Sequence, residues 1–391
     1  QDLMFGPALM QNYALSVKGG GKYSTYYNSV GYTNQDGVMK GTNYQRYTLQ
    51  SKQDFKKGIF QAGTNVVLTY DQSNPLYSVI RGGMVGHTLQ AIPTWEQYDE
   101  NRTGGYGGLY GDVVNLTHPL GMVDDNLMKR YSDNVKIFAN AYVSVELMKG
   151  LKYNSYEGLF DFGLAKHDIT AVTEQQTRTR NILVENLLTF DRTFGDHKVS
   201  ALVGYTYQDS RYRYMQGSGQ GMPTGITEID AASQGLAVSG NSSRSVLTSI
   251  LGRAFYSYKN RYLLTATIRR DGSSKFGSNY RYGNFPSVSV GWNIAEEDFV
   301  KNSVSWLDQL KLRGGYGVLG NQEIDNYQYV SVVTTGINYP DGKSGLIQGA
   351  FPKTFANPDI KWEETAMTNV GIDFMALRNR LTLTADWYVK N

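Results

Sequence analysis

Apolar and polar residues alternate strictly along two neighbouring segments in the second half of the chain. From residue 250 to residue 258 every second position is Ile, Gly, Ala or Tyr, and the positions between them include Arg253 and Ser257. After a turn at Lys259–Asn260, the same alternation continues over residues 262–269. A period of two residues predicts β-strands, and the apolar face of such strands must meet an apolar medium.

The same pattern closes the chain. Between residues 380 and 390 an uncharged apolar face is formed by Leu381, Leu383, Ala385, Trp387 and Val389. Because such a face is costly against water, we expect it to contact lipid or a protein core. Along the whole chain, alternation and turn residues predict about fourteen strands. They cover residues 10–18, 22–34, 43–52, 57–70, 134–148, 150–164, 177–192, 197–210, 245–258, 261–270, 284–294, 309–318, 366–376 and 380–390.

The predicted connections fall into two alternating sets. The short set covers residues 19–21, 53–56, 149–150, 193–196, 259–260 and 376–379. The other set contains the insertions 71–133, 211–244 and 319–365, with shorter members at 35–42, 165–176 and 271–283. An outer-membrane barrel has short periplasmic turns and long extracellular loops, whereas a sandwich has no reason to keep this phase. One exception is the connection 295–308, which is long although its place in the alternation is that of a short turn. Its acidic start predicts a short amphipathic helix.

Aromatic residues are predicted at both ends of the strands. Outward-pointing aromatics near short turns are Tyr256, Tyr258, Tyr262 and Trp292, and those near long loops are Tyr205, Tyr207 and Trp387. Membrane barrels carry such aromatic belts at both interfaces. We therefore predict an all-β fold, an antiparallel up-and-down transmembrane β-barrel. A soluble or surface-attached β-rich glycan-binding protein, with the apolar face buried in its core, stays an alternative.

The amino-acid composition narrows the classes of protein to which the chain can belong. The 391 residues include 30 Tyr and 43 Gly, which suit interface belts and long loops, and no Cys, which excludes disulfides and thiolate metal sites. No run approaches the roughly 18 apolar residues of a transmembrane helix. The mean hydropathy of -0.42 fits a barrel, because half of each strand faces a polar lumen. The net charge of +3 comes without a block of Lys or Arg, so nucleic acid is not an expected partner.

Several segments resemble one family in order along nearly the whole chain. They are RRDGSSKFGSNYRYGNFPSVSVGWNIAEEDF (269–299), LKLRGGYGVLGNQEI (310–324), NYALSVKGGGKYSTYYNSVGYTNQDGV from Asn12, HKVSALVGYTYQ from His197, and NPDIKWEETAMTNVGIDF from Asn357 running into NRLTLTADWY. These segments are similar to the SusC/RagA family of TonB-dependent outer-membrane transporters. The DGSSKFG and LKLRGGYG stretches match nutrient importers of this family more closely than siderophore receptors, which stay a further alternative.

The resemblance implies a specific architecture and set of partners. Family members have a plug inside a barrel of about 22 strands, a TonB-contacting segment before the plug, and a SusD-like surface lipoprotein as a lid. Residues 1–391 are then part of a single barrel domain, with the signal peptide, TonB box, plug and first strand expected before Gln1 and about seven strands after Asn391. Expected partners are the SusD-like lipoprotein, TonB–ExbB–ExbD through the N-terminal region, outer-membrane lipid, and an oligosaccharide or peptide substrate. The expected location is the outer membrane of a Bacteroidetes-like Gram-negative cell.

Two sets of residues are candidates for contact with substrate, lid or plug. In the insertion 71–133 the candidates for stacking on a substrate or on the lid are Trp95, Tyr98, Tyr106 and Tyr110, with loop packing as the equal alternative. The neighbouring glycine-rich stretch 104–111 lacks the strand and helix of a phosphate loop and is interpreted as a loop. Side chains predicted to face the lumen or grip the plug are Arg253, Arg269, Lys311, Arg313 and Asp386.

The remaining titratable residues give no support for catalysis, a cofactor or a metal site. The histidines are dispersed without ligand spacing, at His87, His118, His167 and His197. The acid pairs Asp124–Asp125 and Glu296–Glu297 have no second carboxylate across a cleft, so glycosidase chemistry is not expected. We therefore predict that the chain belongs to a TonB-dependent importer of a bulky nutrient and is not an enzyme.

Overall fold

The structure, a computed structural model, describes residues 4–74, 88, 96–100, 105–107, 120, 123–124, 131–148, 151–164, 171–223, 226, 228–340, 342 and 345–391. Its strands are β1 Met10–Gly20, β2 Ser24–Asp36, β3 Asn43–Lys57, β4 Phe60–Asn74, β5 Ser132–Met148, β6 Leu151–Leu164, β7 Ala171–Phe194, β8 His197–Gln220, β9 Gln234–Tyr258, β10 Tyr262–Ser273, β11 Tyr282–Asn293, β12 Leu307–Asn321, β13 Val333–Pro340, β14 Leu346–Pro352, β15 Glu363–Ala376 and β16 Leu381–Lys390. A short helix, α1, covers Asp298–Lys301, and 3-10 turns cover Ile229–Ala231 and Ile294–Glu296.

Fourteen of these strands form one sheet in sequence order. The order is β1 to β12, then β15 and β16, and the neighbouring strands pair antiparallel throughout. The predicted all-β, up-and-down meander is therefore confirmed. Among the described residues β1 pairs only with β2 and β16 only with β15, so the sheet is open at these two strands. No helix in the described ranges is long and apolar enough to cross a membrane.

Short and long connections alternate as predicted. At the β9–β10 turn, Lys259 and Asn260 have φ of 51° and 55°, the left-handed backbone that a two-residue hairpin turn requires. The prediction of a turn at residues 53–56 was wrong, because these residues continue β3. The chain instead reverses two residues later, where Gly58 has φ of 60° at no steric cost.

Three strands extend far beyond the length that a membrane needs. β7, β8 and β9 contain 24, 24 and 25 residues, against about 9–11 for a tilted transmembrane strand. Much of the segment 211–244, expected to be a loop, is therefore strand. The insertion 319–365 also contains strands, because β13 and β14 form a separate two-stranded hairpin.

The sheet has one apolar face, and this face is exposed. Ile250, at 59% exposure, and Val290, at 55%, lie on the face that the alternation predicts to be apolar. Leu383 and Trp387 on β16 are exposed to 58% and 61%. A soluble protein does not leave a contiguous apolar surface of this extent against water. The soluble alternative required these side chains to be buried in a core, and the described structure does not bury them.

A small apolar cluster lies on the opposite face. Phe276, Phe285 and Trp362 are 0%, 7% and 6% exposed, with ring centroids 5.1 and 5.3 Å from that of Trp362. Phe276 comes from the β10–β11 connection and Trp362 from the segment before β15. The indole N–H of Trp362 donates to the carbonyl of Arg281 at 3.1 Å. Two long connections are thus fixed against the polar face of the sheet.

Candidate functional site

An aromatic row crosses the sheet next to the short turns. His197, Tyr258, Tyr262 and Trp292 lie opposite one another on β8 to β11, with successive ring centroids 4.8, 6.4 and 6.5 Å apart. Three of these residues were predicted for the periplasmic belt. Rings with one polar edge are favoured at a membrane interface, where one side is apolar and the other wet.

A second aromatic row lies near the long-loop ends of β1 to β4. Tyr13, Tyr32, Tyr47 and Tyr70 are in register, with centroids 6.4, 5.0 and 6.3 Å apart. The sequence interpretation missed this row, although each tyrosine occupies an outward position of a predicted strand. The missing information was the pairing register, which alone places the four rings side by side.

The structure brings together two of the four loop aromatics. Tyr98 and Tyr106 form an antiparallel bridge, and their ring centroids are 5.5 Å apart. The hydroxyl of Tyr106 donates to Asp124 Oδ2 at 2.7 Å, and this hydrogen bond, together with burial, raises the pKa of Tyr106 to about 12. Tyr98 is 63% exposed and offers an open ring face. Trp95 and Tyr110 lie outside the described residues, and a role of any of the four in binding stays a prediction.

Arg313 and Asp386, two of the residues expected to face the lumen, form one ion pair. Arg313 Nη1 lies 2.7 Å from Asp386 Oδ1, and Arg313 Nε lies 3.1 Å from Asp373 Oδ2. Gly371 stands between Arg313 and Asp386 in the register. A Cβ atom on Gly371 would lie 2.6 Å from both Arg313 Cζ and Asp386 Oδ1, so glycine leaves the room that this pair occupies.

The other three candidates take no part in the ion pair of Arg313 with Asp386. Arg269 Nε donates to Asp271 Oδ1 at 2.7 Å, and its Nη2 donates to Ser249 Oγ at 3.0 Å. Arg253 Nε donates to Thr267 Oγ1 at 3.3 Å. Lys311 lines the same cavity as Arg313. Contact of these side chains with a solute or plug stays a prediction.

A cluster that the sequence interpretation missed surrounds Asp209. This carboxylate is 4% exposed and accepts from Arg244 Nε at 2.9 Å and from Arg211 Nε at 3.2 Å, while Arg180 Nη2 lies 3.8 Å away. Burial by itself would raise the pKa of Asp209, but the hydrogen bonds and charges of Arg244 and Arg211 outweigh it and hold the pKa below its ordinary value. The available signal was the spacing of arginines two apart in TRTR (177–180) and RYRY (211–214), which places each pair on one face of a strand.

Comparisons with known proteins agree with this geometry. No protein-family model matches the chain. The TonB-dependent receptor P39 of Formosa agariphila is 30% identical over 96% of the chain, which covers 36% of that receptor. The TonB-dependent receptor SusC of Bacteroides thetaiotaomicron is 28% identical over 100% of the chain, which covers 42% of it. The chain thus spans well under half the length of these two curated relatives.

A solved structure shows the same fold. The RagAB peptide transporter superposes with a TM-score of 0.85 at 22% identity, covering 100% of this chain and 45% of that one. At this level of identity the likeness concerns the fold. It extends over all of the sheet described above.

Proposed function

Because the chain belongs to the SusC/RagA family of TonB-dependent outer-membrane receptors, we propose that the protein containing it imports a bulky nutrient across the outer membrane. The observation that carries this proposal is the two-faced sheet. Its apolar face is exposed and bordered by aromatic rows, while its other face carries ion pairs such as Arg313–Asp386. A closed barrel of such strands provides a polar path through lipid.

The polar face supports a division of roles within the import cycle. Arg313, Asp373 and Asp386 present fixed charges on this face, and we assign to them contact with a plug or passing solute. TonB, with ExbB and ExbD, supplies the energy through a segment outside this chain. The relatives are named as receptors and a transporter, so we assign the described side chains to binding and packing rather than to catalysis.

We assign the loop aromatics to the mouth of the barrel. The open ring of Tyr98, held against Tyr106, lies in the long β4–β5 connection on the extracellular side. An exposed ring held in this way is suited to stack on a sugar or to contact a SusD-like lipoprotein lid. The substrate is an oligosaccharide or a peptide, and of the relatives named above RagAB is described as a peptide transporter.

An uptake assay tests the proposal directly. A strain lacking the full-length receptor is compared with the complemented strain for uptake of labelled oligosaccharide and labelled peptide mixtures. We expect one of the two uptakes to be lost in the deletion strain, restored by the receptor, and abolished when TonB is disabled. Loss of ferric siderophore uptake alone would favour the siderophore alternative. Uptake of all three classes unchanged by the deletion would refute nutrient import.

A further inference from the structure

Five arginines lie close together on neighbouring strands of the sheet. Arg180, Arg211 and Arg244 lie directly opposite one another on β7, β8 and β9, and Arg178 lies opposite Arg213 two residues further along. They line one cavity of about 820 Å³, and among the described residues that line it every charged one is an arginine. We call this surface the arginine row.

Asp209 orders the arginine row without neutralising it. Its single carboxylate lies within 4 Å of Arg180, Arg211 and Arg244, so it offsets one of their three charges. Arg213 is exposed and adds a further positive charge. Tyr327 lines one side of the cavity. Its hydroxyl accepts a hydrogen bond from the backbone N–H of Arg244 at 2.9 Å and donates one to the carbonyl of Arg244 at 3.3 Å. The result is a partly enclosed cavity with guanidinium groups already held in place and an excess of positive charge.

The arginine row belongs to the lipid-facing side of the sheet. On β8 the outward positions are every second residue through Val203, Tyr205 and Tyr207, and the same series continues to Arg211 and Arg213. The paired strands β7 and β8 have no register shift along their length, so the faces do not exchange. A solute inside the barrel would meet the opposite face.

The height of the arginine row matches the headgroup layer. Arg211 is four residues beyond Tyr207, the last outward aromatic of β8. At about 3.3 Å per residue and a strand tilt of about 40°, its Cα atom lies roughly 10 Å beyond that ring. The headgroup layer extends roughly 5–8 Å from the hydrocarbon on each side, and a guanidinium reaches several Å from its Cα atom. The guanidinium groups of Arg180, Arg211 and Arg244, which lie at one level, are therefore within reach of the outer-leaflet headgroups.

We propose that the arginine row binds the phosphate groups of a phosphorylated glycolipid in the outer leaflet. Guanidinium groups bind phosphate oxygens through paired hydrogen bonds, and basic recesses at membrane surfaces hold anionic headgroups. The cavity volume accommodates a phosphorylated sugar rather than a lone ion. The bound lipid would anchor the extended β7–β9 region at the membrane surface.

The test uses the full-length receptor, freed of lipid in detergent and titrated with diphosphorylated lipid A. Arg213→Gln is the principal variant, because the ion pairs of Asp209 in the described structure are with Arg180, Arg211 and Arg244, so the loss of Arg213 leaves that cluster intact. We expect Arg213→Gln to weaken binding roughly tenfold, and the double variant R211Q/R244Q to weaken it further. The matched control R192Q/K198Q removes two charges at the other ends of β7 and β8 and should bind as the wild type does.

Two further measurements distinguish binding of the phosphorylated lipid from binding of other anions. Dephosphorylated lipid A should bind at least tenfold more weakly than the diphosphorylated form, and inorganic phosphate should not compete at millimolar concentration. The proposal is overturned if the two lipids bind equally, if inorganic phosphate competes fully, or if Arg213→Gln and R211Q/R244Q both bind like the control. Loss of uptake of an acidic nutrient in Arg213→Gln, with lipid binding unchanged, would instead assign the row to substrate.

Discussion

Gly320 shows how one residue without a side chain fixes the polar-face cluster. A Cβ atom on Gly320 would lie 2.1 Å from Phe285 Cζ, and the Phe285 ring is enclosed by Phe276 and Trp362. We expect Gly320→Ala to push the ring out of this cluster and to destabilise the receptor by about 1–3 kcal/mol, the usual cost of overpacking. This destabilisation is measured as the difference in the free energy of unfolding between the variant and the wild-type full-length receptor in detergent.

Gly252→Ala is the matched control for Gly320→Ala. An added Cβ atom at Gly252 would meet only Ile268 Cγ2 at 3.7 Å, an ordinary contact on the lipid face. We expect this variant to unfold within about 0.5 kcal/mol of the wild type. Equal effects of the two substitutions would show that the Phe285 cluster is not rigid.

Individual contacts were the part of the site that the sequence did not predict. Alternation placed Arg313 and Asp386 on one face, since a period of two is visible in any strand. Their direct pairing depends on the register of β12, β15 and β16 and on the space left by Gly371, neither of which a single sequence contains. Asp209 was missed for a related reason, because its partner Arg244 lies 35 residues away in a segment interpreted as loop.

At the scale of elements, the β11–β12 connection is held by one buried carboxylate. Glu297, 8% exposed, accepts from the Trp292 indole N–H at 3.0 Å and from Arg261 Nη1 at 3.2 Å. Hydrogen bonds from Tyr262 and then Trp292, with the charge of Arg261, lower the pKa of Glu297 below its ordinary value of 4.5. These contacts fix the turn that precedes α1 to the ends of β10 and β11.

This lowered pKa predicts a pH dependence. A carboxylate with a depressed folded-state pKa contributes its stability above its unfolded pKa and loses it as pH falls through the folded value. We therefore expect Glu297→Gln to lower the melting temperature at pH 7 and to reduce the loss of stability below about pH 4.5. Glu296→Gln is the control, because the partner of Glu296 among the described residues is the exposed Lys301, at 2.9 Å. A pH profile of Glu297→Gln that parallels the wild type would contradict the prediction.

The presence of the strands could be predicted from the sequence, whereas the residues at which they begin and end could not. All fourteen strands of the sheet have a predicted counterpart, because each has one apolar face in the membrane. Beyond the membrane this constraint disappears, and β7 to β9 continue with polar and charged residues on both faces. The hairpin β13–β14 was missed for the same reason, since it lies wholly within a long connection.

At the scale of the molecule, the phase of the connections carried more information than any single motif. The short turns lie at one end of the strands and the long connections lie at the other end. One aromatic row is found near each of these two ends. The mean hydropathy of -0.42 did not decide between the classes, because it is typical of soluble proteins and also fits a barrel whose strands face a polar lumen on one side. The exposed apolar face of the assembled sheet decides between them, since a soluble protein does not leave such a surface against water.

Adjacent residues of β11 give the sharpest test of this two-faced arrangement. Val290, 55% exposed, lies on the apolar face, and Ser289 before it lies on the polar face. The chain has no cysteine, so V290C and S289C introduce single thiols into the full-length receptor once any cysteine outside this chain has been replaced. In outer-membrane vesicles we expect Cys at 290 to react only with a lipid-soluble maleimide, because it faces hydrocarbon.

The companion site distinguishes a lumen from a protein core. Cys at 289 should react with a small membrane-impermeant maleimide, and faster when the plug is displaced by urea, because only a water-filled lumen admits a charged reagent. If both thiols resist every reagent until denaturation, the apolar face is buried in protein, and the membrane assignment of the sheet fails. If Cys at 290 is the one reached from water, the two faces are reversed, and the arginine row on β7 to β9 would line the lumen and meet solute instead of lipid.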